Sequence, residues 1–342
     1  MKAKKGWMAA LVCVLCIAAL GAAGFVRGVQ LMDCALDGRR ESAKTQTRVT
    51  DEMLRSQMTR SHAQTRTQGW LTVIETEEIA MRAPRGKLYA QLYAPLRAEA
   101  DAPWALVLHG GMGTDHTDVL DVACTLSMEG YRVLAPDLYA HGQSEGHHAS
   151  LGLVEAQDIR AWVDWILAED MNAQIVIWAQ DEGAAAALLA AGKGLPAAVR
   201  AVAADGVYAS VRDRAHQLLA EHTDGGAAML KLDTALLDAA YRLLHGVSAK
   251  NGEIAARVSA VDMPLLLLHG TGDEDVPAWH SEDIAAAAGE KAALFFAEGA
   301  AHGMARHAQP QAYYDALLGF FRDALGTAGD EALALQIPPA AP

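Results

Sequence analysis

The sequence predicts an α/β fold in which helices cover both faces of a mostly parallel sheet, preceded by a transmembrane helix. Short apolar runs with strand character alternate with amphipathic runs with helix character along most of the chain. Glycines and prolines at the ends of these runs indicate turns. An uncharged stretch from Gly6 to Val26 follows the N-terminal lysines and is long enough to cross a bilayer.

The N-terminal stretch predicts an uncleaved, single-pass membrane anchor over residues 1–28. It has about the 20 apolar residues that a spanning helix needs and exceeds the usual apolar core of a signal peptide. A cleaved signal is the alternative, because Ala22, Ala23 and Gly24 are small residues near a cleavage position. Lysines precede the span and Arg27 follows it, so the basic residues are nearly balanced; we favour an N-terminus inside and an extracytoplasmic folded domain.

The remaining chain divides by composition. Residues 29–69 are mainly polar and predict a stalk or a loosely held helical segment, and residues 70–325 form the α/β domain. An edge hairpin is expected at Ile79–Met81 and Lys87–Tyr93. Core strands are expected at Trp104–Leu108, Tyr131–Ala135, Ile175–Trp178, Val199–Ala204, Leu265–Leu268 and Ala293–Phe296. Residues 210–260 show helical patterns only and predict a small lid, and residues 326–342 predict a disordered tail.

Charge and cysteine usage exclude several classes of function. The net charge of −14 argues against nucleic acid or anionic lipid as the main partner of the soluble part. Two of the four cysteines lie within the apolar N-terminal run, and Cys34 and Cys124 lack the spacing of a disulfide framework or a metal site.

Polar residues follow the predicted strands where a parallel sheet places its reactive groups. His109-Gly110-Gly111 ends the first core strand, and its glycines allow a backbone N–H to approach a substrate. Ile175-Val176-Ile177-Trp178 leads into Ala179-Gln180-Asp181-Glu182-Gly183 and then into a helix. This strand, tight turn and helix are typical of a nucleophile elbow with Asp181 at its tip. The His109-Gly110-Gly111 motif also fits a purely structural explanation, a tight turn without a chemical role.

An acid and a base follow in the order that this layout requires. Asp273 lies after the strand Leu265–Leu268, and His302 lies after the last predicted strand. The order of elbow, acid and histidine predicts a triad of Asp181, His302 and Asp273. Asp137, His141 and Ser144 lie in another loop and are interpreted as support for the site.

The segments Leu106–Gly113, Ile175–Ala187, Leu266–Pro277 and Gly299–Gly303 resemble the α/β-hydrolase superfamily, in particular bacterial membrane-anchored serine hydrolases of the serine-aminopeptidase and lysophospholipase-like branch. The resemblance implies an α/β-hydrolase fold and cofactor-free hydrolysis of small or lipid-like substrates. It also implies that Asp273 is the acid, His302 the base, and the amides of Gly111 and Glu182 the oxyanion hole. The family's serine does not carry over, because position 181 is aspartate.

Two hypotheses account for this aspartate. In the first, Asp181 is a carboxylate nucleophile that attacks an ester-like, epoxide or halide substrate, as in haloalkane dehalogenases and epoxide hydrolases, and His302 then activates water. The neighbours Met112 and Glu182 differ from those usual in these families. In the second, the chain is a catalytically impaired serine-hydrolase homologue that serves as a membrane-anchored binding protein. The retained Asp273 and His302 favour the enzyme.

Overall fold

The computed structural model describes residues 2–37, 51–96, 101–223 and 226–327. Eight strands form one sheet: β1 (Thr76–Ala83), β2 (Gly86–Tyr93), β3 (Trp104–Leu108), β4 (Arg132–Pro136), β5 (Ile175–Gln180), β6 (Val199–Asp205), β7 (Leu265–Gly270) and β8 (Ala292–Ala297). The helices are α1 (Lys2–Ala35), α2 (Asp51–Leu71), α3 (Leu120–Met128), α4 (Glu155–Glu169), α5 (Asp181–Ala191), α6 (Val211–His222), α7 (Ala227–His245), α8 (Ile254–Val258), α9 (Trp279–Ala288), α10 (Ala305–Ala308) and α11 (Pro310–Leu325). Short 3₁₀ turns lie at His116–Val119, Ala249–Asn251 and Gly289–Lys291.

The strand order is β1-β2-β4-β3-β5-β6-β7-β8. β1 and β2 form an antiparallel hairpin at the sheet edge, β2 pairs antiparallel with β4, and the other neighbours are parallel. This arrangement confirms the predicted mostly parallel sheet with an edge hairpin. Because β3 lies between β4 and β5, the chain reverses its direction of travel across the sheet there, which is where open α/β sheets place ligands.

The two faces of the sheet carry separate apolar cores. Along β5, Ile175 and Ile177 belong to one core, and Val176 and Trp178 belong to the other. All four side chains are fully buried. Because consecutive residues of a strand point to opposite faces, both faces of the sheet are covered here. The near-continuous apolar strands of the sequence are therefore explained by burial on both sides.

The segment between β6 and β7 contains helices and no strand of the sheet in its described part, 206–223 and 226–264, as the sequence predicts. α6 begins at a capping residue, Ser210, whose hydroxyl accepts a hydrogen bond from the Asp213 N–H. α7 ends at Gly246, which has a φ of 69° and therefore adopts the left-handed conformation that glycine tolerates. These two helices and α8 form the region that we call the lid.

The N-terminal region differs from the predicted division into anchor and stalk at residue 28. α1 continues as one helix to Ala35, and Leu31, Met32 and Leu36 are buried in the core of the α/β domain. The α2 helix of the expected stalk contacts α3 and α10. The few apolar residues that make these contacts produce no recognisable pattern within the polar segment 29–69. Residues 38–50 of the expected stalk and residues 328–342 of the expected tail lie outside the described residues.

One helical stretch, Val14–Ala35, is apolar and long enough to cross a membrane by length and composition. The whole of α1, at 34 residues, is roughly 51 Å long, whereas the hydrocarbon core of a bilayer measures about 30 Å. The helix is thus long enough to span a bilayer with its first part and to enter the domain with its last turns.

Candidate functional site

The elbow at the end of β5 holds Asp181 in a strained backbone conformation. Asp181 has a φ of 45°, a region that residues other than glycine rarely occupy. A Cβ atom on Gly110 would lie 2.1 Å from the Gln180 carbonyl oxygen, and one on Gly183 would lie 2.2 Å from the His109 carbonyl oxygen. The neighbouring chain segments therefore approach so closely that only glycine fits at positions 110 and 183.

The three predicted triad residues meet at the carboxyl ends of their strands. The Nδ1 atom of His302 lies 2.7 Å from Oδ2 of Asp273, and its Nε2 atom lies 3.6 Å from Oδ2 of Asp181. The other oxygen of Asp273 accepts hydrogen bonds from the backbone N–H groups of Asp275 and Val276. The structure brings together all three residues singled out in the sequence, with the imidazole between two carboxylates.

The electrostatics of the triad favour a charged histidine. Burial opposes the charge on His302, yet the carboxylates of Asp181 and Asp273 outweigh burial and hold its pKa well above the usual value. Burial raises the pKa of Asp273, but hydrogen bonds from His269 and His302 overcome this effect and lower it to about 2. The pKa of Asp181 is likewise lowered, because His302 outweighs the effect of burial. The resting site is therefore an imidazolium between two carboxylates.

The two residues assigned to the oxyanion hole lie beside the elbow. Gly111 has a φ of 85°, and a Cβ atom there would lie 3.3 Å from Oδ2 of Asp181. Glu182 occupies the first turn of α5, where backbone N–H groups are free of helical partners. No hydrogen bond of normal geometry reaches Oδ1 of Asp181 from the described residues. The backbone at these two positions is thus placed beside the Asp181 carboxyl.

The side chain of Glu182 points away from solvent into a buried group of acids. Neither of its oxygens has a hydrogen-bond partner of normal geometry among the described residues, and its Oε2 atom lies 3.9 Å from Nε2 of His141. Burial, and then the charge of Asp181, raise the pKa of Glu182 to about 8. Burial also raises the pKa of Glu155 to about 7 and that of Asp158 to about 8. At neutral pH, Glu182 is mostly protonated and adds little negative charge next to Asp181.

A cavity of about 430 Å³ opens above the elbow, and Asp181 and His302 lie in its wall. Two further lining residues were not singled out in the sequence. Tyr208 follows β6, is 1 % exposed and has a hydroxyl without a hydrogen-bond partner among the described residues. Arg214 lies in α6, and its charge helps to lower the pKa of Asp181. The position of Tyr208 shortly after a core strand was the one signal for it in the sequence.

The elbow is fixed from below by a buried ion pair. Nε of Arg306 donates to Asp121 over 2.8 Å, and Nη1 of Arg306 donates to the side chain of Gln180 over 3.1 Å. Arg306 is 4 % exposed, so the pair is shielded from water. Because Gln180 precedes Asp181 in the chain, this contact holds the strand end from which the tip projects.

The loop after β4 is closed by hydrogen bonds to Asp137. The Ser144 hydroxyl donates to the Asp137 carbonyl, and the Asp137 carboxylate accepts hydrogen bonds from the backbone of His116 and Gln143. Carboxylate and imidazole atoms of Asp115, His116 and Asp137 lie within 4.8 Å of one another, a spacing that could hold a metal ion. Both Asp137 oxygens already accept hydrogen bonds from backbone N–H groups, so these hydrogen bonds explain why the three side chains lie together.

A second, larger cavity of about 600 Å³ lies between α2, α3 and α11. Arg66, Arg322 and Tyr314 line it, and it contains no triad residue. The smaller cavity is the candidate active site, because it alone of these two contains Asp181 and His302.

Comparison with known proteins agrees with this architecture. Residues 103–229 match a family model described as alpha/beta hydrolase fold. An esterase of Pyrococcus furiosus has 18 % sequence identity, a TM-score of 0.57, and an alignment covering 74 % of this chain and 92 % of the esterase. An acylaminoacyl peptidase also has 18 % identity, with a TM-score of 0.54 and coverage of 73 % of this chain and 41 % of the peptidase. A hypothetical protein of Pseudomonas aeruginosa has 21 % identity, a TM-score of 0.51 and coverage of 73 % and 94 %. No curated protein sequence matches the chain.

Proposed function

We propose that this chain, which has the α/β-hydrolase fold, is a membrane-anchored hydrolase in which the Asp181 carboxylate is the nucleophile. The observation that carries the proposal is the position of Asp181: it forms the strained tip of the elbow, lies in the cavity wall and faces a histidine held by Asp273. Groups that neither bind nor react have no need of this geometry, and strain of this kind concentrates at active sites.

The chemistry of a carboxylate selects the substrate class. Attack on an ester carbonyl would form an anhydride, which is a poor intermediate, whereas attack on an sp³ carbon forms a stable alkyl ester. An epoxide or an alkyl halide offers such a carbon. The protonated His302 favours the epoxide, because ring opening produces an alkoxide that takes up a proton at once.

The reaction balances with the groups present. An oxygen of Asp181 attacks an epoxide carbon, the ring C–O bond breaks with its electron pair, and the His302 imidazolium protonates the resulting alkoxide. His302 is now neutral, and Asp181 is an uncharged ester that no longer raises its pKa. His302 takes a proton from water as the water attacks the ester carbonyl, and the amides of Gly111 and Glu182 are placed to bind the oxyanion. Collapse breaks the ester C–O bond, and the departing alkoxide takes the proton of the new carboxyl to give the diol, which leaves Asp181 as a carboxylate and His302 as an imidazolium.

Trapping the ester tests this proposal. Attack by Asp181 needs no base, whereas hydrolysis of the ester does, and a general base typically contributes about 10²–10⁴-fold to the rate. His302→Gln, offered a panel of epoxides and alkyl halides, is expected to gain the substrate's mass on Asp181 in intact-protein and peptide mass spectrometry. Asp181→Asn is the matched control and gains none. Wild-type protein that turns over in H₂¹⁸O incorporates label into the Asp181 carboxylate.

The alternative function, a pocket that binds without turnover, is favoured by the same ion triad. An imidazolium held by two carboxylates is stable and cannot accept a proton from a serine-like nucleophile. Under this alternative, the His302→Gln protein remains unmodified across the whole panel, and small molecules still bind to the cavity in wild-type and variant alike.

The anchor is the second part of the proposal. We expect α1 to remain uncleaved, to pass once through the membrane and to place the domain on the extracytoplasmic side. The full chain should stay in the membrane fraction through a carbonate wash, and Edman sequencing should find the original N-terminus. A mature N-terminus near Gly24 would establish a cleaved signal.

A further inference from the structure

The lid helix α7 is docked on α1 through two glycines. Gly24 and Gly28 are four residues apart and therefore lie on the same face of α1. A Cβ atom on Gly28 would lie 2.5 Å from the Leu236 carbonyl oxygen, and one on Gly24 would lie 3.2 Å from the Leu236 side chain. Small residues at this spacing let two helix backbones approach each other, a packing that is common within membranes.

An ion pair fixes the level of α7 along α1. Arg27 donates two hydrogen bonds to Asp233, over 2.8 and 3.1 Å, and Asp233 is 1 % exposed. Arg27 is also the first charge after the uncharged run from Gly6 to Val26. Asp233 in α7 therefore lies level with the end of the apolar part of α1.

The two helices run in the same general direction at this contact. Gly24 faces the side chain of Leu236, and Gly28 faces both Leu236 and Ala240, so the contacts advance together. The first residues of α7, Ala227 to Asp233, consequently extend alongside the apolar part of α1. At 1.5 Å per residue, this extension amounts to about 9 Å, similar to the 5–10 Å depth of helices that lie in a membrane interface.

An exposed apolar face of α7 lies beside its contact with α1. We define the α7 apolar face as Ala228, Leu232, Ala235, Ala239 and Leu243, which are exposed and follow one another at three- and four-residue intervals. Leu232 is 52 % exposed and Leu243 is 72 % exposed. Met229, at 50 % exposed, lies one turn before Asp233 on the side of α7 that contacts α1. Lys231 borders the far edge of the face near its N-terminal end, where its head can reach the lipid headgroups.

We propose that the N-terminal end of the α7 apolar face, Ala228 and Leu232, lies against the lipid bilayer that α1 spans, whereas the residues after Asp233 lead away from it. The argument for a bilayer is continuity, since the face adjoins α1, whose residues Val14 to Val26 are largely exposed and apolar. This inference rests on the retained anchor of the proposed function. α7 packs on α6, which carries the cavity-lining residues Arg214 and Leu218, so a bilayer at α7 lies close to the cavity. The contact therefore implies a hydrophobic substrate that reaches the cavity from the membrane.

Photolabelling of the full chain tests the contact. The protein is placed in nanodiscs of phosphatidylcholine that contain a diazirine-bearing phospholipid, irradiated and mapped by peptide mass spectrometry. Lipid adducts are expected both on α1 before Gly24 and on the α7 segment from Ala228 to Leu232. Leu232→Glu should reduce the α7 adducts at least threefold. The matched control is Met171→Glu, since Met171 is 84 % exposed in the turn between α4 and β5, and it should leave the α7 adducts unchanged.

Each contrary result has a separate meaning. Adducts on α1 with none on α7 overturn the inference and leave the anchor intact. Protection of α7 together with a dimer in the nanodisc assigns the face to a second copy of the chain and also overturns it. If neither helix carries lipid adducts, the membrane anchor is contradicted and the inference fails with it. The His302→Gln trapping result is independent of all three outcomes.

Discussion

The Nε2 atom of His302 lies 3.6 Å from Oδ2 of Asp181, where a serine hydrolase of this fold would have its hydroxyl. Asp181 has no proton to give, and it also charges the histidine that would have to accept one. A single side chain therefore changes both the nucleophile and the protonation state of the base.

Restoring a hydroxyl at position 181 should therefore restore serine-type reactivity. In Asp181→Ser, His302 keeps Asp273 as its partner and loses the second carboxylate, so its pKa falls and it becomes available as a base. Fluorophosphonate probes are expected to leave the wild-type chain unlabelled and to label Asp181→Ser. The double variant Asp181→Ser/His302→Gln should react slower by about 10²–10⁴-fold. Labelling of the wild-type chain at a serine near the cavity would contradict the placement of the elbow.

The buried Glu182 should make stability depend on pH. Its pKa is about 8 in the folded chain, so above the unfolded value of 4.5 the folded state binds a proton that the unfolded state has lost. Stability contributed in this way decreases as the pH rises from about 4.5 to 8, at a slope of about 1.4 kcal/mol per pH unit for one group. Glu182→Gln should flatten the slope of the unfolding free energy measured in urea between pH 5 and 8.

The exposed residue Glu169 in α4 offers the matched control for this experiment. Glu169→Gln should leave the slope unchanged. An equally steep slope in Glu182→Gln would mean that Glu155 and Asp158 account for the entire pH dependence, and the assignment to Glu182 would be wrong.

The ion pair between Arg306 and Asp121 should be important for the stability of the elbow. Arg306→Met leaves the Asp121 carboxylate buried without its partner, which typically costs about 3–5 kcal/mol. Urea unfolding should show a loss of this size, and Arg82→Met on the exposed edge of β1 should change stability by less than about 0.5 kcal/mol. Equal effects of the two substitutions would show that the buried pair contributes nothing beyond a surface charge.

The sequence predicted the sheet and the three triad positions because both depend on local signals. Asp181, Asp273 and His302 each follow an apolar strand that can be recognised by itself, and parallel pairing then brings the ends of these strands together. The protonation of Glu182 was not predicted. Its neighbours Glu155 and Asp158 come from α4, and only the folded chain brings these acids together away from water.

The docking of α1 was not predictable for a similar reason. Arg27 and Asp233 are separated by 206 residues, and nothing in the local sequence of either one indicates the partner. Leu31, Met32 and Leu36 were too few to produce an apolar pattern within a polar segment. A variant that begins at Trp70 would lack these side chains and expose the core surface that they cover.

The ion pair between Arg27 and Asp233 has a consequence for biogenesis. At a synthesis rate of about 5–20 residues per second, roughly 10–40 seconds pass between the appearance of Arg27 and that of Asp233. During this interval α1 is already available for membrane insertion, while Leu31 and Met32 have no α7 to pack against. The first helix to be made therefore acquires its partner in the lid only after a further 206 residues have been synthesised.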